Sequence, residues 1–147
     1  MEVLTISLKC YSNTRWSARK EAVSSLFLQI ESVFKVLKEI STDSNLNAET
    51  VSGAKDLIKQ FDFVFICLLD LLRQILSLID RKNQSFQSKN ISVDTGCKLL
   101  GGLVTSIQYL RDQGVDKIIS AAKVMAKKIG IHPDFAEKRK HKVKRLT

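Results

Sequence analysis

Apolar residues recur at every third or fourth position through most of this chain, and almost nothing interrupts them. Only one proline and six glycines occur in 147 residues. A β sandwich or barrel needs turn signals about every ten residues, and this chain cannot supply them. The pattern therefore predicts an all-α protein. The length suits one domain with a core of its own.

Four helical patterns are visible. Val23, Leu26, Phe27, Ile30, Val33, Phe34, Leu37 and Ile40 share one face of a helix that begins near Trp16. Asn13 or Thr14 is placed to cap its start, and "STDSNLN" at 41–47 ends it with turn-forming residues. Val51, Ala54, Ile58, Phe61, Phe65, Leu68, Leu72, Ile75 and Ile79 then alternate intervals of three and four. Asn47 suits the cap of this pattern, which reads as one rod or as two pieces meeting near Gly53 or Gln60. Between Phe61 and Leu72 nearly every face is apolar, which predicts a segment enclosed by other helices.

A third helix is expected from Val93 to Asp112, capped by Ser92 or Asp94. Leu99, Leu100, Leu103, Val104, Ile107 and Leu110 form its stripe, and Gly114 suits its C-terminal cap. Gly101-Gly102 inside it suggests a close helix crossing or a bend. The fourth runs from Val115 to Ile129, with Val115, Ile118, Ile119, Ala122, Met125, Ala126 and Ile129 inward and Gly130 and Pro133 closing it. The expected architecture is an antiparallel bundle of four to five helices over 14–131. A short extended segment precedes it at 1–13, and a basic tail follows at 132–147.

Charge is concentrated at one end. The net charge is +9, and between Ala136 and Arg145 six bases face one acid, Glu137. More than half of the excess thus lies in Lys138, Arg139, Lys140, Lys142, Lys144 and Arg145. Such a run is either a solvated tail or a phosphate-seeking one. The segment "FVFICLLDLLRQILSLI" carries Asp70, Arg73 and Gln74, which a membrane span of about 20 residues would not tolerate, so it reads as a bundle helix. No basic leader followed by an unbroken apolar run opens the sequence.

Little points to catalysis. No phosphate-cradling glycine loop and no G-x-S-x-G elbow is present. Cys10, Cys67 and Cys97 are scattered, and His132 and His141 have no cysteine at ligand spacing, which argues against a disulfide framework or a zinc site. Cys67 and Cys97 read as small core hydrophobes. Asp62, Asp70 and Asp80 do not share one face and read as solubilising residues of their helix. No catalytic residue, metal ligand, cofactor or small-molecule substrate is expected.

The stretch "SNTRWSARKEAVSSLF" resembles the T-R-W-[SN]-[SA]-R-x-x-A-V segment of hAT-superfamily transposases. It is similar above all to the relatives described as MYM-type zinc-finger protein 1-like, which carry MYM- or TTF-type zinc fingers. Phe61, Phe63 and Val64, then Phe86 to Ile91, then Tyr109 to Gly114 match the order of motifs in the helical region that follows, and "FAEKRKHKVKR" resembles the basic linker beyond it. The likeness spans roughly Leu8 to Arg145.

In that family a helical domain is inserted into a ribonuclease-H-like core bearing an Asp-Asp-Glu metal triad. The resemblance implies that both aspartates lie upstream of Met1 and the glutamate downstream of Thr147. The expectation is a catalytically incomplete, transposase-derived helical domain that binds without strand-transfer activity. Two-metal phosphoryl transfer needs converging carboxylates, which an inserted bundle alone does not supply.

The resemblance offers Trp16 as a base-stacking residue, with Arg15 and Arg19 on phosphates and the tail bases assisting. The preferred alternative is that Trp16 packs the first helix onto the bundle while both arginines stay solvated. Expected partners are DNA, a related transposase or another protein, and not a membrane. The expected compartment is the nucleus, or otherwise the cytoplasm. The competing reading is a stand-alone helical protein-interaction module.

Overall fold

The computed structural model describes residues 15–87 and 91–135. The extended segment at 1–13, Cys10, the capping candidates Asn13 and Thr14, and the basic tail from Ala136 onward lie outside the described residues.

The described chain is all α. It comprises α1 (Trp16–Thr42), α2 (Ala48–Gln60), α3 (Phe63–Phe86), α4 (Val93–Tyr109) and α5 (Val115–Ile129). A five-residue π turn, Leu110–Gly114, joins α4 directly to α5. The chain makes three passes. It runs up α1, back through α2 and α3, and up again through α4 and α5. Lys20, early in α1, meets Asp80, late in α3, whereas Phe34 meets Phe61, so α1 and α3 are antiparallel. Gly96 and Gly102 lie against Phe86 and Lys82, which sets α4 antiparallel to α3.

Local chemistry explains the boundaries. Asn47 accepts the Thr50 N–H at 2.7 Å and Ser92 accepts the Thr95 N–H at 3.2 Å, so both expected caps are in place. The second sequence pattern divides at Phe61, next to Gln60. There the Asp62 carboxylate accepts the Phe65 N–H at 2.7 Å and starts a new helix. The Phe61 ring bridges the break, 5.4 Å from Phe34 and 5.0 Å from Phe65 between centroids. At the end of α5, Gly130 adopts φ 75°, and Ile131 N–H reaches Ala126 O at 2.8 Å. That is the Schellman closure, which a side chain at Gly130 would oppose.

The core lies where α1, α3 and α5 converge, with α2 flanking α1. Val23, Ile30 and Phe34 from α1 meet Phe63, Ile66, Cys67, Leu69 and Leu76 from α3 and Ala122, Ala126 and Ile129 from α5. The small residues of α5 let that helix lie close.

Four sequence expectations are corrected. Asp70 and Asp80 are buried rather than solubilising. Asp80 is 2% exposed, accepts Lys20 Nζ at 2.8 Å and Gln84 Nε2 at 3.0 Å, and ties the first pass to the second. Asp70 accepts Arg73 Nη2 at 2.6 Å and Gln74 Nε2 at 3.2 Å. Burial of a carboxylate requires such partners.

Second, α3 is not enclosed on all sides, because Val64, Leu68 and Leu72 are exposed. Third, Gly114 does not end a helix. Its backbone stays right-handed (φ −94°, ψ −27°), and a Cβ there would fall 2.5 Å from Leu110 Cδ1, so the absent side chain lets Leu110 tuck into the π turn. Fourth, the expected α4 stripe splits. Leu110 is buried and Leu99, Leu103 and Ile107 are half-buried, while Leu100 and Val104 face outward. The wide π turn rotates α4 about its axis relative to α5, and so decides which apolar residues reach α3. Gly101 meets open space and Gly102 only the end of Lys82, so neither marks a close backbone crossing.

Candidate functional site

Nine residues were expected to touch nucleic acid. Three are described, and the structure gathers them at the start of α1. Arg15 occupies the N-cap in extended conformation without a side-chain cap bond, and no acid sits in the first turn. The helix dipole there adds to the positive charge of the arginines. Trp16 is 42% exposed, and the Arg19 guanidinium lies over its ring, 5.0 Å from the centroid. Trp16 therefore does not anchor the core as the sequence suggested. It forms a cation–π lid over the first turn, one face on Arg19. Lys138, Arg139, Lys140, Lys142, Lys144 and Arg145 lie outside the described residues.

A second surface was not foreseen. No residue of α4 is buried, although the helix is the most apolar in mean character. Val93, Cys97, Leu100 and Val104 recur at four, three and four residues along its outer face. Leu100 and Val104 are 54% and 55% exposed. A surface helix of a closed bundle turns such a stripe inward. Cys97 belongs to this exposed face and not to the core.

Between α3 and α5 an apolar groove of about 180 Å³ adds to the exposed area. Val64, Leu68, Leu71, Val115, Ile119 and Phe135 form its walls. Phe135 is held by the edge of the Phe63 ring, 4.9 Å away. The sequence signal for this surface was present, since the apolar stripes of α3 and α4 are wider than a bundle helix needs. Only the packing shows which part is surplus.

Titration chemistry is sparse. Burial pushes the Cys67 thiol up, assisted by the negative charges of Asp70 and Asp62. Cys67 is thus an inert core thiol rather than a nucleophile. Among the described residues no group of three or more His, Cys, Asp or Glu is placed to hold a metal ion, and no helix is long and apolar enough to cross a membrane. No protein-family model, no curated protein and no solved structure matches this chain.

Proposed function

We propose that this chain is a helical binding module whose principal contact is with another protein, made through α4. The carrying observation is the mismatch on that helix between apolar content and burial. Val93, Cys97, Leu100 and Val104 form a regular stripe that no other described residue covers. Monomeric proteins rarely leave contiguous apolar surface of this kind unless it is used. A stripe at heptad-like intervals suits a partner helix laid along it. The likeness to the inserted helical domain of hAT transposases supports the same reading, with a related transposase as one candidate partner.

The test compares the wild-type chain with a Leu100→Asp/Val104→Asp variant as baits, and measures self-association by sedimentation. Loss of captured protein or of association in the variant, with unchanged helix content, is the expected result. Identical capture by both chains, from a monomer that does not bind a hydrophobic dye, would remove the proposal.

A second reading has its own support at the start of α1. Arg15, the Trp16–Arg19 pair and an N-terminus without a side-chain cap present positive charge and an aromatic face together, which suits a single strand of nucleic acid. Arg15→Gln/Arg19→Gln should weaken oligonucleotide binding and lower its salt slope by up to about 1.4. Equal slopes for both chains would remove these contacts.

A further inference from the structure

A groove of about 610 Å³ runs between α3 and α4, within the range of ligand sites. Its chemistry differs from that of the apolar α4 stripe. Arg73 and Arg81 line it from α3, Thr105 and Tyr109 from α4, and Leu78 and Leu110 give it an apolar floor. Among the described residues no acidic side chain lines it, although Asp70 beneath it pairs with Arg73.

Arg73 is fixed in place. Its Nε and Nη2 hold Asp70 Oδ1 at 2.9 and 2.6 Å, and its guanidinium lies over Phe27, 4.7 Å from the ring centroid. Arg81 is exposed and carries no ion pair among the described residues. Tyr109 is 64% exposed and stands at the entry to the π turn, and Leu110 is the first residue of that turn. A π turn inside a longer helix often marks a functional position. Here it places an aromatic ring at the rim of a cationic groove.

We infer that this groove is a nucleotide site, taking a phosphate at Arg81 and Arg73 and a base on the ring of Tyr109. A bound phosphate meets a free charge in Arg81 and a pre-oriented one in Arg73, with Leu78 and Leu110 covering the apolar part of the ligand. The hydroxyl proton of Thr105 goes to Gly101 O, which leaves its oxygen free to accept from an exocyclic amine. The ligand is either a free nucleotide or one unit of a single strand, since both present this chemistry. The site shares no lining residue with the α4 stripe or with Arg15, Trp16 and Arg19, so it does not depend on either functional reading.

The full chain is titrated with AMP and, separately, with an eight-residue oligoadenylate, followed by amide chemical shifts. 8-azido-AMP is then photocrosslinked and the labelled peptide sequenced. We expect labelling at Tyr109 or in residues 73–81. Arg81→Gln and Tyr109→Ser should each weaken AMP at least about tenfold, and Tyr109→Phe should retain it. Arg15→Gln/Arg19→Gln should leave AMP affinity unchanged, which separates this site from the one at α1. Tighter binding of the oligonucleotide, with displacement of AMP, assigns the site to a strand; AMP binding without displacement assigns it to the free nucleotide. Absence of binding by both probes, labelling confined to other peptides, or equal affinity in wild type and Arg81→Gln overturns the inference. Both substitutions are at exposed positions, and circular dichroism checks that each variant is folded.

Discussion

Helices α3 and α4 lie side by side, and both are rich in leucine, isoleucine and valine, yet they are used in opposite ways. In α3, Phe63, Ile66, Cys67, Leu69 and Leu76 are buried, together with two aspartates. In α4 nothing is buried. The difference comes from neighbours. α3 packs on α1, α4 and α5, whereas among the described residues α3 is the only other long helix that α4 contacts substantially. Apolar composition thus shows that a helix wants cover, and topology decides whether the cover comes from its own chain.

The comparison breaks most readily at the core. Ile66→Ala, at a position with no exposure, is expected to cost about 3 kcal/mol in urea denaturation. Leu100→Ala on α4 should cost less than about 0.5 kcal/mol. Equal costs would mean that α4 is covered in solution.

The carboxylates give a second contrast. Asp80→Ala removes the partner of Lys20 and should cost about 2 kcal/mol, less than a fully buried pair because Lys20 is partly exposed. Asp94→Ala breaks an ion pair with Lys98 in which both side chains are largely exposed, and should change stability by less than about 0.5 kcal/mol.

A third contrast is between thiols. Cys97 should alkylate at least about tenfold faster than Cys67 at neutral pH, by peptide mapping, because Cys67 is both buried and held in its protonated form. The raised Cys67 pKa favours the thiol in the folded chain. Its small contribution to stability is therefore present at neutral pH and is lost as pH rises past the ordinary thiol range. Leu100→Asp/Val104→Asp should lower stability by only about 1 kcal/mol, the helix-propensity cost of two aspartates at exposed positions, and should nonetheless abolish association through α4.

The helices, the caps at Asn47 and Ser92 and the closure at Gly130 were legible because each is written in residues close together in sequence. The division beside Gln60 was only partly legible, because one rod or a break near Gly53 stood as alternatives and Asp62 was not singled out as a cap. The buried aspartates were not legible. Asp80 takes its meaning from Lys20, sixty positions earlier, and no local pattern separates it from a surface carboxylate. Gly114 misled for a related reason. A glycine after an apolar stripe reads as a cap, but its role is to make space for Leu110. At the start of α1 the sequence marked Arg15, Trp16 and Arg19 as a group, and only coordinates show Arg19 lying on the ring. The groove between α3 and α4 draws on two passes of chain and left no contiguous motif.

The π turn also makes the fold sensitive to the count of residues, apart from their identity. One residue advances an α-helix by roughly 100°. Projected back along an uninterrupted helix from the buried face of α5, the inward positions become Val104, Leu100, Cys97 and Val93, which now face out. Restoring regular turns at full length would swing those four toward α3 and send Leu99 and Leu103 into solvent, whereas deleting Gln113 would remove the extra residue of the turn and keep Leu99 and Leu103 facing α3. Two hydrophobic registers thus coexist in one helix, and the extra residue of the π turn selects which of them faces the core.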